Sequence, residues 1–353
     1  MKVLVAMSGG VDSAVCAYLV KKEHDALGVT MKLHDETDNL IYGENSCCSN
    51  RDIADAKSVC EIVGIPHEVH DFGAQFKDHV ISDFINCYKC GSTPNPCVVC
   101  NRKIKFDGLL KTALERGYDA VATGHYARIE KAENGRYLLK KAIDESKDQS
   151  YVLYSLTQHQ LAHTLFPLGE MTKSDARNLA ESIGFVNARK HDSQDICFVP
   201  DGDYVSFIER TTGEHFDKGN FVDLNGKILG THEGIIKYTI GQRKGLGIAF
   251  GKPTYVISKD FDTNTVVLGS NEDLFNTTLT AKNVNLISCE SIPSPIRVKA
   301  KIRYNQKEQP ATVYQIDSDR IKVVFDEPQR AITRGQSVVL YDGDIVVGGG
   351  IIE

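Results

Sequence analysis

Ser8-Gly9-Gly10-Val11-Asp12-Ser13 and a set of cysteines that includes Cys97, Cys100 and Cys197 are the residues of this chain best equipped for chemistry. Two adjacent glycines let the backbone turn sharply and bring amide N–H groups up to a ligand. Asp12 and Ser13 stand where a helix would start, and Val15, Tyr18 and Leu19 follow at helical spacing. A Gly-rich turn feeding a helix N-terminus is an anion site, because orphan N–H groups and the positive end of the dipole face the same way. No Gly-Lys-Ser/Thr closes the hexapeptide, so it is not a Walker loop. The plainer reading of the same residues is a strand–turn–helix with Asp12 as N-cap.

The chain holds 10 cysteines. With no signal-peptide pattern at the start, a cytoplasmic location is expected, and the cysteines read as thiol, redox or metal chemistry rather than a disulfide scaffold. Cys16 and Cys60 fall in apolar helical patterns and read as core, and Cys289 has no evident partner. Cys87-x-x-Cys90 and Cys97-x-x-Cys100 could bind zinc tetrahedrally, although the gap between the pairs is short for a zinc ribbon. The adjacent Cys47 and Cys48 read as structural. Cys100 follows Pro94-Asn95-Pro96 and is expected to open a helix, where the dipole lowers a thiol pKa. Lys103 and Lys105 add positive potential. Cys197 lies in a polar loop between Gly184 and Pro200.

Elements that could position these residues alternate along the first part of the chain. Strands are expected at Lys2–Ala6, Asp25–Lys32, Pro66–Asp71 and Ala120–Thr123, with helices at Asn50–Val63, Phe72–Cys87 and about 101–116 between them. This order implies an α/β domain with a parallel sheet, whose ligand loops gather at the carboxyl ends of the strands. SGGVDS, Met31 and Thr123-Gly124-His125-Tyr126 all fall at such ends. A hairpin is expected around Asn134-Gly135, a helix from Ser150 to about His163, and others at Lys173–Ile183 and Asp203–Arg210. Beyond Gly213, glycines punctuate short β-branched runs. They suggest a small β-rich central domain and then a C-terminal β-barrel or sandwich. The expected domains span 1–210, 211–277 and 278–353 of the 353 residues.

The net charge of −6 argues against a generally basic nucleic-acid binder, but six basic residues lie between Lys282 and Lys307, with Glu290 the single acid among them. Asn101-Arg102-Lys103-Ile104-Lys105 is a second basic stretch. No apolar run approaches the roughly 20 residues of a membrane span.

SGGVDS resembles the pyrophosphate loop of ATP pyrophosphatases, the PP-loop, which cleave ATP between its α and β phosphates. Taken with Thr93-Pro94-Asn95-Pro96…Cys100-Asn101, Ala122-Thr123-Gly124-His125-Tyr126, Lys147-Asp148-Gln149-Ser150, Ser193–Phe198, Thr239–Gly247, Arg303-Tyr304 and Gly335-Gln336, the whole chain resembles the tRNA-specific 2-thiouridylases of the MnmA/TrmU type. The resemblance implies a PP-loop (adenine nucleotide alpha hydrolase-like) domain, a small central domain and a C-terminal β-barrel. It implies ATP-dependent replacement of O2 of wobble uridine 34 by sulfur in the tRNAs for Lys, Glu and Gln. Ala6, Met7, Ser8, Gly9, Gly10, Val11, Asp12 and Ser13, with Met31 and Gly124, would hold ATP, and Asp12 would organise Mg2+. Cys197 would carry a persulfide received from a cysteine desulfurase or relay protein, and Cys100 would be its partner nucleophile, leaving a Cys100–Cys197 disulfide. Asn95, Pro96 and Cys97 would touch the target base, and His125, Lys147, Asp148, Gln149, Arg303, Tyr304 and Gln336 the tRNA. A monomer is expected. Cys97 stands where many members have aspartate, which puts an acid/base role there in doubt. It also leaves a second arrangement open, an iron–sulfur cluster on Cys97, Cys100 and Cys197. A small-molecule PP-loop synthetase is the rival enzyme class, and an RNA-binding protein with a relic loop the non-enzymatic one.

Overall fold

The computed structural model describes residues 1–34, 50–190, 196–248 and 251–353. Cys47-Cys48 and Ser193-Gln194-Asp195 lie outside the described residues.

The N-terminal part runs β1 (Lys2–Ala6), α1 (Val11–Glu23), β2 (Asp25–Lys32), α2 (Asn50–Val63) and β3 (His67–Asp71). Helix α3 follows, an α-helical start at Gly73–Phe76, a wider π turn at Lys77–Ile81 and an α-helical end at Ser82–Lys89. Helix α4 has the same construction: Pro96–Cys100, a π segment at Asn101–Leu109, and Leu110–Glu115. Then come β4 (Ala120–Ala122), the hairpin β5 (Ala127–Lys131) and β6 (Tyr137–Lys141), α5 (Ser150–Leu153), α6 (Gln158–Ala162), β7 (Thr164–Leu165), α7 (Lys173–Ile183) and α8 (Tyr204–Thr212).

The expected single helix from Ser150 to His163 is two short ones. Thr157 restarts the helix with a reciprocal capping box to Gln160, so the chain turns a corner where periodicity alone reads straight on.

Strands β3-β2-β1-β4-β7 form one sheet, and every pairing in it is parallel. β1 sits at its centre and is buried on both faces, which explains its unbroken apolar run. Helix α1 is apolar nearly all round (Ala14, Val15, Cys16 and Ala17 are fully buried) because it is wrapped by the sheet and by α2 and α7. From β1 the strand order runs outward in both directions, so β1 and β4 flank the switch point where α/β sheets open a crevice. SGGVDS leaves β1 and Thr123–Tyr126 leaves β4, on the two sides of that crevice.

The central sheet holds β8 (Gly219–Val222), β9 (Ile228–His232), β10 (Tyr255–Asp260) and β11 (Thr265–Gly269), in the order β10-β11-β8-β9. Thr239–Gly247 belongs to this region as a turn: Gly241 adopts φ 85° and its N–H donates to Val256 O.

The last strands are β12 (Phe275–Leu286), β13 (Ile296–Lys301), β14 (Gln309–Gln315), β15 (Ile321–Arg330), β16 (Ser337–Asp342) and β17 (Ile345–Ile352). They pair antiparallel in the order β12-β15-β14-β13-β16-β17, and β17 returns to β12 through Ala281 opposite Ile352. This closure makes a six-stranded barrel around Ala300, Ala311, Val313, Val323, Val338 and Leu340. It decides between the barrel and the sandwich and removes every sheet edge there. β17 also meets β6 at Ile345 opposite Lys140, joining the hairpin to the barrel. Among the described residues no helix is long and apolar enough to cross a membrane.

Candidate functional site

Gly10 is the N-cap of α1, with extended backbone and no capping side chain. Asp12 is therefore not a cap. It lies within the first turn, and its carboxylate accepts from Lys173 Nζ at 2.7 and 2.8 Å and from Tyr126 Oη at 2.9 Å. Ser13 is buried; its hydroxyl donates to Gly10 O (2.9 Å) and accepts from Ser8 N (3.2 Å). Gly9 has φ +71°, and a Cβ there would stand 2.5 Å from Asp52 O. A Cβ on Gly124 would stand 2.7 Å from the Asp12 carbonyl carbon. Both glycines are demanded by close backbone approach. Ala6, Met7 and Val11 are buried supports of the turn, and Met7 N donates to Val29 O at 2.8 Å. Met31 is buried at the end of β2, opposite His70.

Magnesium takes one or two protein carboxylates plus substrate phosphates, and Asp12 is the carboxylate this turn offers, with both oxygens engaged by Lys173.

Helix α4 corrects the sequence reading of the cysteines. The helix starts at Pro96, with Asn95 as N-cap accepting from Val98 N at 3.4 Å. The thiol in the first turn is thus Cys97, and Cys100 lies a turn further in; proline at the first helical position sets the start four residues earlier than Cys100. Cys97 opens to solvent on one side. Crowding by protein on the other side, and the neighbouring Cys197, push its thiol above the ordinary value, while Lys105 pulls it back. Cys100 and Cys197 are half-buried and pack against the same apolar cluster, which contains Phe84 and Phe198. Among the described residues no three His, Cys, Asp or Glu side chains gather closely enough to hold a metal ion. The Cys97/Cys100/Cys197 set therefore does not fit an iron–sulfur cluster in this arrangement, nor do the two CxxC pairs fit zinc.

His125 is buried, between Thr123 Oγ1 (2.6 Å from Nδ1) and Lys105 Nζ (3.4 Å from Nε2). Burial and the Lys105 charge hold its pKa well below the ordinary value, so the ring is neutral. An ammonium can only donate, so Nε2 accepts and the ring proton sits on Nδ1, facing Thr123.

The residues expected to meet RNA are mostly engaged within the protein. The Asp148 carboxylate accepts from Ala142 N, Ser150 N and Ser150 Oγ. Gln149 Oε1 accepts from Tyr126 N at 2.9 Å, and Lys147 N closes a turn onto Asp144 O. Arg303 donates to Ala331 O and Thr333 Oγ1, and burial followed by Arg330 lowers its pKa. Tyr304 is exposed and donates to Asp148 O at 3.1 Å; burial of its hydroxyl end, then Asp148 and Cys97, raise its pKa. Gln336 donates to Thr93 O and Pro94 O, both at 3.0 Å, seating the barrel on the segment that leads to Asn95, Pro96 and Cys97.

Sequence reasoning missed Lys173, Asn187 and Lys190, and it placed Tyr126 at the end of β4 without foreseeing its bond to Asp12. Lys173 carried a signal: a lysine at the first position of a helix opposes the dipole and asks for an anion. Asn187 and Lys190 carried none.

A family model described as tRNA methyl transferase HUP domain matches residues 1–201. A tRNA methyl transferase PRC-barrel domain matches 205–270, and an aminomethyltransferase beta-barrel domain matches 276–352. The chain is 54% identical to a tRNA-specific 2-thiouridylase MnmA of Clostridioides difficile, over 100% of this chain and 98% of that one. It is 52% identical to the protein of the same name in Clostridium kluyveri, over 100% and 99%. Among solved structures, NMN synthetase from Francisella tularensis aligns with a TM-score of 0.34 at 16% identity, covering 61% of this chain and 78% of that one. With its Gly-rich loop at the switch point of a parallel sheet and its closed C-terminal barrel, and with relatives more than half identical over its whole length, the chain belongs to the tRNA-specific 2-thiouridylase family.

Proposed function

We propose that this enzyme thiolates C2 of uridine 34 in the tRNAs for Lys, Glu and Gln, using ATP. The observation that carries the reading is a run of contacts through the end of β4. Gly124 abuts Asp12, Tyr126 donates to Asp12, and His125 meets Lys105, whose charge acts on Cys97. This run supports a reading in which the loop and the Cys97 end of α4 serve one reaction.

In this reading uracil O2 attacks the α-phosphorus of ATP, a P–O bond forms and pyrophosphate leaves. The Gly9-Gly10 turn holds the departing phosphates by N–H donation, and the Ser13 hydroxyl joins it by turning its proton from Gly10 O to a phosphate oxygen. Mg2+ on Asp12 would neutralise phosphate charge. The terminal sulfur of a Cys197 persulfide attacks C2, and AMP carries O2 away. The Cys100 thiolate then attacks Cys197 Sγ, which leaves sulfur on C2 and a Cys100–Cys197 disulfide. A cellular dithiol supplies two electrons to reset the pair. The persulfide comes from a cysteine desulfurase or a relay protein, and the enzyme acts as a cytoplasmic monomer. Lys147, Tyr304 and the basic barrel strand β13 face the tRNA. The units 1–210, 211–277 and 278–353 divide the work into catalysis, linkage and RNA binding.

The test is 2-thiouridine in nucleoside digests of tRNA incubated with ATP and a persulfide donor. Cys100→Ser and Cys197→Ser should each lose thiolation while still exchanging pyrophosphate into ATP. Parent-level thiolation in both variants overturns the reading. ATP hydrolysis stimulated by ammonia and indifferent to tRNA would instead make the chain a small-molecule synthetase.

A further inference from the structure

The carbonyl oxygen of Gly9 is gripped from two sides. Asn187 Nδ2 donates to it at 3.0 Å and Lys190 Nζ at 3.1 Å. Lys190 is itself fixed by Asp52 Oδ1 (2.6 Å) and Asp55 Oδ2 (2.8 Å), both on α2. In a trans peptide the C=O and the next N–H point in opposite directions. Holding Gly9 O therefore aims Gly10 N–H away from Asn187 and Lys190. Among the described residues that N–H makes a single long bond, 3.4 Å to Ser8 Oγ. A cation on the carbonyl also polarises the peptide and strengthens its N–H as a donor.

Asn187 supplies the second observation. Its side chain is 3% exposed, and its Oδ1 has no hydrogen-bond partner among the described residues. A buried amide oxygen left unpaired lowers stability. An apolar side chain of similar size would avoid that cost, so the amide is kept for what its Nδ2 does to Gly9.

We infer that Asn187 and Lys190 are positioning residues of the nucleotide site, which set the Gly9–Gly10 peptide so that Gly10 N–H meets a phosphate oxygen. This rests on the ATP reading of the loop. The grip acts on phosphate and not on the nucleoside, so ATP and adenosine separate it from general damage to the fold.

The experiment is titration calorimetry of the full chain with ATP and with adenosine, for the parent, Asn187→Leu, Lys190→Met and Lys190→Arg, beside their thermal midpoints. Asn187→Leu and Lys190→Met should each weaken ATP about tenfold and leave adenosine within about twofold. Lys190→Arg should recover most of the ATP affinity. The midpoint of Asn187→Leu should equal or exceed the parent's, because the orphaned oxygen is gone. ATP affinity within about twofold of the parent in both weakened variants overturns the inference, with the nucleotide reading intact. So does an equal loss for ATP and adenosine. A parent that binds neither ligand removes the nucleotide reading itself.

Discussion

Lys173 Nζ bridges both carboxylate oxygens of Asp12 at 2.7 and 2.8 Å, although 161 residues separate them. The lysine is buried at the first position of α7, where the helix dipole repels it, so the pair is held by mutual need. Lys173→Met leaves the Asp12 carboxylate without its cation. The variant should lose about 2–3 kcal/mol of stability in urea titration and most pyrophosphate exchange. Parent-like exchange would mean that the pair serves folding alone.

Gly9→Ala sets a methyl 2.5 Å from Asp52 O at φ +71°. Two backbone segments meet there, so neither can yield cheaply. A loss of about 2 kcal/mol or more is expected, with ATP binding falling further than adenosine binding. Calorimetry and a denaturant midpoint measure the two effects.

His125 makes stability fall in acid. Its folded pKa lies well below the ordinary 6.5 because of burial and Lys105. Above 6.5 both folded and unfolded forms are neutral and its contribution is complete. As pH drops through that value the unfolded state takes up a proton that the folded state refuses, so stability declines toward the folded pKa. His125→Gln should flatten the urea midpoint between about pH 7.5 and 5.5, and a slope unchanged from the parent would count against this assignment.

Cys97 titrates above the ordinary thiol value of 9, through desolvation and Cys197, with Lys105 acting the other way. Its iodoacetamide rate should be low near neutral pH and climb in the alkaline range. Lys105→Met should slow it further at any fixed pH. Mass mapping of the alkylated peptide distinguishes it from Cys100.

Gln336 ties the barrel to Thr93 and Pro94 across more than 240 residues of sequence. Gln336→Ala removes two hydrogen bonds and should cost about 1–2 kcal/mol. Thiolation should fall while pyrophosphate exchange stays near the parent's. Equal loss of both would place Gln336 in general folding.

What the sequence determined by itself was local. The apolar run of Lys2–Ala6, the Gly9-Gly10 turn and the spacing of Val15, Tyr18 and Leu19 carry β1, the loop and α1, because period and backbone freedom are properties of near neighbours. Asn50–Val63 and Lys173–Ile183 were legible to the residue for the same reason. What only the tertiary structure decided involves long separations. The start of α4 at Pro96 put Cys97 rather than Cys100 in the first turn. The pairing of β17 with β12 closed the barrel. Lys173, Asn187 and Lys190 reached the loop only because α7 packs beside α1 and the chain beyond it returns to Gly9. No periodicity encodes such meetings. They follow from which buried faces find each other once the sheet has formed.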